Sequence, residues 1–170
     1  MTPENRSAKE ANEGRADETA GVVARPPFLY LGGLLLGLGI DWLPALPPLP
    51  FLAGHVGLAV GIGLGIAGFG LLFAAARRFI KAGTPVPTNR PTTALVTEGL
   101  YRVSRNPIYI GLTFIYLAFA AGFASLGALV LLPAVLLVME FGVIRREERY
   151  LERRFGQPYR DYRARVRRWF

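Results

Sequence analysis

The sequence contains no cysteine, a single histidine, and 12 acidic residues against 20 lysines and arginines. The absence of cysteine excludes disulfides, thiolate catalysis and thiolate metal sites. Because His55 is the one histidine, a histidine cluster is also excluded, and we expect no metal centre. The apolar residues form long runs rather than an amphipathic pattern, which favours a bilayer over a water-soluble core.

The net charge of +8 is concentrated in two basic blocks. Residues 77–105 carry six lysines and arginines and one glutamate, and residues 145–170 carry ten arginines and four acids. Such blocks can bind nucleic acid, but beside apolar segments they more simply mark the cytoplasmic side of a membrane and its anionic headgroups. We therefore expect the membrane bilayer, with anionic lipid headgroups, as the partner of these blocks, and no nucleic acid.

Apolar segments predict an all-α integral membrane protein with about four transmembrane helices. Each expected span is an apolar run bounded by prolines, turns or charges, at about 27–46, 51–76, 107–123 and 125–144. Four spans place both termini and both basic blocks on one side, as the positive-inside rule requires. We expect a bacterial inner membrane, with both termini in the cytoplasm.

The two ends of the chain are polar, and the sequence predicts different structures for them. Residues 1–25 are small and mixed in charge, which predicts a disordered tail before a single domain at 26–170. Residues 145–170 predict a C-terminal amphipathic helical segment on the cytosolic face, in two pieces because Gly156 interrupts the pattern. Three residues of the second piece then share one face: Tyr162, Val166 and Trp169.

Glycines recur at every fourth residue of the second apolar segment, at Gly57, Gly61 and Gly65. A stripe of small residues allows two helices to pack closely. The surrounding letters GIGLGIAG look superficially like a nucleotide-binding loop, but no strand precedes them. We therefore expect these glycines to serve helix packing.

Three features could carry chemistry where apolar and polar segments meet. The stretch TTALVTEGLYRVSRNPIYIG, residues 92–111, sets arginines, tyrosines and an Arg-Asn-Pro turn at the edge of a span, although an interfacial loop also explains it. Glu147 and Glu148 follow the last span, where weak surface ion pairs are the plainer interpretation. Glu140 lies inside the apolar run, and an ionisable group at that depth is a functional candidate. Because Glu140 and Glu147 are seven residues apart, they are expected to share one helix face and to line one cavity.

These motifs resemble those of the integral-membrane methyltransferases. LVTEGLYRVSRNPIYIG, followed further along by EERYLERRFGQPYRDY, is similar to the signature of that superfamily. The signature is an Arg-His-Pro-x-Tyr-x-Gly turn and a downstream Glu-Glu pair ahead of a Phe-Gly and a Tyr. The superfamily includes isoprenylcysteine carboxyl methyltransferases and phospholipid methyltransferases, and the match covers roughly residues 84–163.

The resemblance implies S-adenosylmethionine as the methyl donor and a lipid or small hydrophobic molecule as the acceptor. Carried over to this chain, the cofactor pocket is expected to be formed by ten residues: Thr93, Ala94, Leu95, Val96, Tyr101, Asn106, Pro107, Ile108, Tyr109 and Glu147. Glu140 and Arg105 are the candidate catalytic residues. If the acceptor is an amine, Glu140 or Glu147 could assist as a base.

Two positions depart from the family pattern. Asn106 replaces the histidine of the turn, so it keeps hydrogen-bonding capacity but cannot accept a proton near neutral pH. Val143 stands where the isoprenylcysteine enzymes carry an arginine that meets the substrate. We therefore do not expect a carboxylate-bearing prenylcysteine to be the acceptor.

Two other classes of protein fit parts of the same pattern. A nicotinamide-dependent membrane reductase of the sterol type would share a related helical core and a basic C-terminal tail. A non-enzymatic membrane scaffold would bind neither cofactor saturably. The Glu-Glu pair and the Arg-Asn-Pro turn favour the methyltransferase.

Overall fold

The computed structural model describes residues 21–42, 49–84 and 92–169. These residues contain no strand and form six α-helices, which we label α1 to α6: Pro26–Ile40, His55–Lys81, Pro107–Gly122, Leu126–Met139, Arg145–Phe155 and Gln157–Arg165. Short 3₁₀ turns lie at Pro50–Leu52 and Gly99–Arg102, and a π-helical turn, Glu140–Ile144, joins α4 to α5. The all-helical prediction is confirmed.

The helix ends differ from the predicted spans at several points. The first apolar helix ends at Ile40 rather than at residue 46, and residues 43–48 lie outside the described chain. The second helix begins at His55, after Gly54 with a φ of +71°, and continues through its arginines to Lys81. A helix can run on through Arg and Lys because both residues have high helix propensity. The third and fourth helices begin and end within a few residues of their predicted positions.

Among the residues that the structure describes, two helical stretches are long and apolar enough to cross a membrane, namely His55–Lys81 and the continuous stretch Leu126–Phe155. The apolar part of the second stretch ends at Ile144, where the arginines and glutamates of α5 begin. α1 and α3 are apolar but have 15 and 16 residues. At 1.5 Å per residue they are about 22–24 Å long, less than the ~30 Å of a bilayer core. The count of four spans and the cytosolic face therefore stay predictions.

Glycine contacts make α2 and α3 neighbours that run antiparallel. A Cβ atom on Gly61 would lie 2.7 Å from the carbonyl oxygen of Ala118, and one on Gly68 would lie 2.8 Å from that of Gly111. Gly65 has only ordinary contact distances, so the close approach continues at Gly68. α1 packs in the same antiparallel sense against α4. The N-terminal ends of α1 and α3 thus share one end of the molecule with the C-terminal end of α2.

The chain before α1 also packs against the helices at this end. The backbone N–H of Val23 donates to the carbonyl of Gly142 at 3.2 Å, and Arg146 donates to the carbonyl of Gly21 at 2.9 Å. Residues 21–25 therefore have defined contacts, although the sequence places them in a disordered tail. Residues 1–20, the rest of that predicted tail, lie outside the described chain.

Candidate active site

A cavity of about 270 Å³ lies at the end of the molecule where α1, α2 and α3 meet the segment 92–106 and helices α5 and α6. This volume is close to the lower end of the range of roughly 300–1,000 Å³ for small-molecule sites. Its wall is mostly apolar, with a few polar groups: Pro26, Pro27, Leu72, Phe79, Thr92, Ala94, Leu95, Val96, Tyr101, Arg105, Asn106, Ile108, Tyr109, Leu112, Glu147, Glu148, Leu151, Tyr159 and Tyr162.

The structure brings most of the residues singled out in the sequence to this one wall. Nine of them line it: Ala94, Leu95, Val96, Tyr101, Arg105, Asn106, Ile108, Tyr109 and Glu147. Three do not. Thr93 is exposed, and its backbone N–H donates to the hydroxyl of Thr84, while Pro107 is buried in the first turn of α3. Glu140 also lies off the wall.

Glu147 is the most buried acidic group on the wall, with 5% of the residue exposed. The hydroxyl of Tyr109 donates to its carboxylate and lies 2.7 Å from both oxygens. Burial raises the pKa of Glu147 to about 8; the Tyr109 hydrogen bond opposes this shift, and the Glu148 charge adds to it. No ion pair to Glu147 is present among the described residues. The carboxylate therefore lacks a countercharge at the wall.

Glu148, the next residue, has two countercharges. It is 8% exposed, and Arg168 binds it with two hydrogen bonds of 2.9 and 2.6 Å. Nη1 of Arg105 lies 2.9 Å from one oxygen of Glu148. The prediction of weak, solvated surface pairs for Glu148 is wrong, because the C-terminal segment folds over this carboxylate and excludes water from it.

Two hydrogen-bond donors of the Arg105 guanidinium lack an aligned acceptor among the described residues, although only 10% of the side chain is exposed. The contact of Nη1 with Glu148 is short, but it is not aligned for a hydrogen bond. Neither Nη1 nor Nε has a hydrogen-bond acceptor among the described residues, and the same holds for the hydroxyl of Thr92. Buried donors without acceptors are costly, so Arg105 and Thr92 are candidates for contact with a polar ligand.

Comparison with known proteins identifies the family. The family model for phospholipid methyltransferases matches residues 56–158, which is more than half of the chain. The chain belongs to the phospholipid methyltransferase family. It is also 41% identical over 63 residues to an uncharacterized protein of Haemophilus influenzae, covering 36% of this chain and 98% of that protein. No solved structure matches the chain.

The family assignment confirms the resemblance stated from the two motifs. Phospholipid methyltransferases are membrane methyltransferases, and the two long apolar helices of this chain fit a membrane location. The matched region runs from α2 to the start of α6 and contains most of the cavity wall. The proline pair of α1 and Tyr159 and Tyr162 of α6 complete the wall from outside that region.

The π-helical turn explains why Glu140 is absent from the cavity wall. The backbone N–H of Arg145 bonds to the carbonyl of Glu140, five residues back, so the turn holds one residue more than a regular α-helical turn. One extra residue rotates the following helix by about 100° and removes the shared face expected for positions seven apart. Glu140 pairs instead with Arg145 and Arg168, at 3.0 and 2.5 Å. The expectation that Glu140 and Glu147 line one cavity is corrected on this ground.

The C-terminal segment also differs from the predicted surface helix. α6 ends at Arg165, and Val166 is extended, so Val166 and Trp169 do not share a helix face with Tyr162. Tyr162 is buried and donates to the carbonyl of Tyr101 at 2.8 Å. α6 therefore packs on the segment that forms the cavity wall.

Several wall residues were not singled out in the sequence. The backbone N–H of Thr92 donates to the hydroxyl of Tyr150, which holds the start of the segment against α5. Burial raises the pKa of Tyr159 to about 12; the negative charge of Glu148 adds to this shift, and the positive charge of Arg105 opposes it. The tyrosine after the Phe-Gly pair of the family signature was a signal for Tyr159. Proline and leucine positions such as Pro26 and Leu72 gave no such signal, because apolar residues are common throughout the helices.

Proposed function

We propose that this protein is an S-adenosylmethionine-dependent membrane methyltransferase that acts on a lipid or small hydrophobic acceptor. The observation that carries the proposal is a cationic group, Arg105, and an acidic group, Glu147, on one mostly apolar wall. Arg105 has unused buried donors, and Glu147 has no countercharge among the described residues. Family membership indicates the reaction class, and Arg105 and Glu147 are the groups that match the methyl donor.

The charge pair matches the amino-acid end of the cofactor, which carries one carboxylate and one ammonium group. Arg105 is suited to the carboxylate because guanidinium and carboxylate groups form strong charge-assisted hydrogen bonds. Glu147 is suited to the ammonium group, which would lower the pKa of the carboxyl again and favour its charged form. Apolar residues of the segment, such as Leu95 and Val96, would contact the adenosine part.

When bound, S-adenosylmethionine supplies a methyl group on a positively charged sulfur. The chain needs no covalent residue for this chemistry, in keeping with a sequence without cysteine. Its residues orient the two reactants and exclude water, and positioning of this kind can supply about 7–11 kcal/mol of a barrier. Because Glu140 is bound to two arginines off the wall, we assign it no role in proton transfer.

The wall also informs the choice of acceptor. Its aliphatic residues come from three helices, as Leu72, Leu112 and Leu151, and from the segment 92–106. Val143, at the position where the isoprenylcysteine enzymes carry a substrate arginine, is fully buried in the helix core. A phospholipid or another hydrophobic molecule therefore suits the site better than a prenylcysteine carboxylate. The basic blocks next to the cavity support a cytoplasmic site at an anionic membrane surface.

Binding of the methyl donor tests this function. We expect calorimetry on the detergent-purified protein to show saturable binding of S-adenosylmethionine in the micromolar range. Glu147→Gln removes the carboxylate that faces the ammonium group, and Arg105→Ala removes the donor for the carboxylate. Each variant should bind about tenfold or more weakly, as expected for a hydrogen bond to a charged group.

Glu152→Gln is the matched control because it makes the same chemical change outside the cavity, where Glu152 pairs with Arg163. It should bind the cofactor as the parent protein does. Nicotinamide dinucleotides are the comparison ligands for the reductase alternative and should not bind. Lack of S-adenosylmethionine binding by the parent protein, in detergent and again in lipid nanodiscs, would rule out the proposed function.

A further inference from the structure

The side chain of Arg168 contacts two carboxylates that lie 28 and 20 positions earlier in the sequence. Its Nε and Nη2 donate to the two oxygens of Glu148, at 2.9 and 2.6 Å, and its Nη1 lies 2.5 Å from Glu140. The guanidinium therefore bridges the π-helical turn and the first turn of α5. A bidentate pair of this kind is among the stronger hydrogen-bonded contacts in proteins.

The backbone around Arg168 is fixed to the Arg-Asn-Pro turn. The carbonyl of Arg168 accepts hydrogen bonds from the hydroxyl of Ser104 and the side-chain amide of Asn106, both at 3.1 Å. The carbonyl of Arg167 accepts from the backbone N–H of Arg105 at 3.0 Å. Asn106, which replaces the histidine of the family turn, thus uses its amide to hold the C-terminal segment.

Arg105 and Arg168 both contact the carboxylate of Glu148, with different geometry. Arg168 occupies both oxygens of Glu148, whereas Arg105 reaches only one of them, without hydrogen-bond alignment. A buried carboxylate that lost Arg168 would need another countercharge, since an unpaired buried charge is strongly destabilising. Arg105 is the cation already in contact with it.

We propose that Arg168 is a positioning residue for ligand binding: by satisfying Glu148, it leaves the donors of Arg105 directed into the cavity, where they bind the carboxylate of the methyl donor. This inference rests on the proposed function. Without Arg168, Glu148 draws the Arg105 guanidinium into a bidentate pair and away from the ligand. Arg168 itself does not line the cavity.

The affinity for S-adenosylmethionine in a double-mutant cycle tests the inference by calorimetry, without any need for a known acceptor. Arg168→Ala should weaken binding about tenfold, the loss expected when a charge-assisted hydrogen bond to the ligand is withdrawn. In the Glu148→Gln background, the competing carboxylate is absent. There, Arg168→Ala should change affinity by less than about threefold.

Decarboxylated S-adenosylmethionine provides a second readout. This ligand lacks the group that Arg105 is proposed to bind, so its affinity should be nearly the same in the parent protein and in Arg168→Ala. A general loss of structure would weaken both ligands alike. Arg167→Ala is the matched control, because it removes the same charge from the neighbouring, exposed side chain and leaves the backbone contact in place. It should bind as the parent protein does.

Arg168→Lys keeps the charge but replaces the bidentate contact with a single point charge, so it should bind with intermediate affinity. It also serves if Arg168→Ala does not fold. Parent-like binding by both variants, or a loss that persists unchanged in the Glu148→Gln background, would overturn the inference. If the parent protein does not bind S-adenosylmethionine, the proposed function fails and the inference fails with it. If the parent protein binds S-adenosylmethionine and the Arg168 variants bind it equally well, the inference alone fails.

Discussion

At the scale of residues, three carboxylates within nine positions of one another have three different environments. Glu140 and Glu148 are each bound by two arginines, whereas Glu147 faces the cavity with one tyrosine hydroxyl as its partner. The motif in the sequence marks Glu147 and Glu148 as a pair, but it cannot separate them. Their difference comes from Arg105 and Arg168, which are distant in sequence and meet these groups only in the folded chain.

Proton release on binding tests the state of Glu147. Because its pKa is raised to about 8, the carboxyl is mostly protonated at pH 7. An ammonium group bound beside it favours the charged form, so binding should release close to one proton per ligand at pH 7, and affinity should rise as the pH approaches 8. Calorimetry in buffers of different ionisation enthalpy measures this number.

Two neighbouring groups set the background for that measurement. Tyr109 donates to Glu147, and the charge of Glu148 next to it is compensated by its arginines. Glu147→Gln cannot ionise and should release almost no proton when it binds the cofactor. Equal proton release by the variant and the parent protein would show that another group titrates.

At the scale of elements, the helices follow from simple sequence signals. Prolines at the starts of α1 and α3 and Gly156 between α5 and α6 mark helix ends in both the sequence and the structure. The π-helical turn at Glu140–Ile144 has no comparable signal in its five residues. Val143 and Ile144 in this turn are fully buried, and their tertiary contacts cannot be derived from the local pattern, so the sequence predicts the helix but not the rotation that separates Glu140 from Glu147.

Glycine substitution in α2 tests the contact that sets the helix arrangement. A Cβ atom on Gly68 would lie 2.8 Å from the carbonyl oxygen of Gly111, which is part of the backbone and has little room to move. Gly68→Ala should therefore destabilise the protein by about 1–3 kcal/mol, as overpacking does. Thermal unfolding in detergent measures this loss as a lower unfolding midpoint for Gly68→Ala than for the parent protein.

Gly70→Ala is the control in the same helix, since a Cβ atom there meets nothing within 4 Å. It should leave the midpoint of unfolding unchanged or raise it slightly, because alanine has the higher helix propensity. A drop in the midpoint of Gly70→Ala as large as that of Gly68→Ala would show that the α2–α3 contact is not the cause.

At the scale of the whole molecule, the cavity lies where the apolar helices end and the charged helices begin. The order of apolar and basic segments predicts this division, and with it the general position of the site. The C-terminal segment could not be placed in the same way. Its hydrogen bonds to Ser104 and Asn106 join residues more than 60 positions apart, and periodicity within a segment carries no information about such partners.

Photolabelling with methyl-labelled S-adenosylmethionine tests the central claim most directly, because it reports both the ligand and its location. Ultraviolet irradiation of the purified protein, followed by peptide mapping, should place the label in residues 92–109 or 147–162, which carry most of the cavity wall. Excess unlabelled cofactor should suppress it. Label that is concentrated elsewhere, for instance in the first half of α2, or that excess cofactor does not suppress, would contradict the assignment of this cavity as the methyl-donor site.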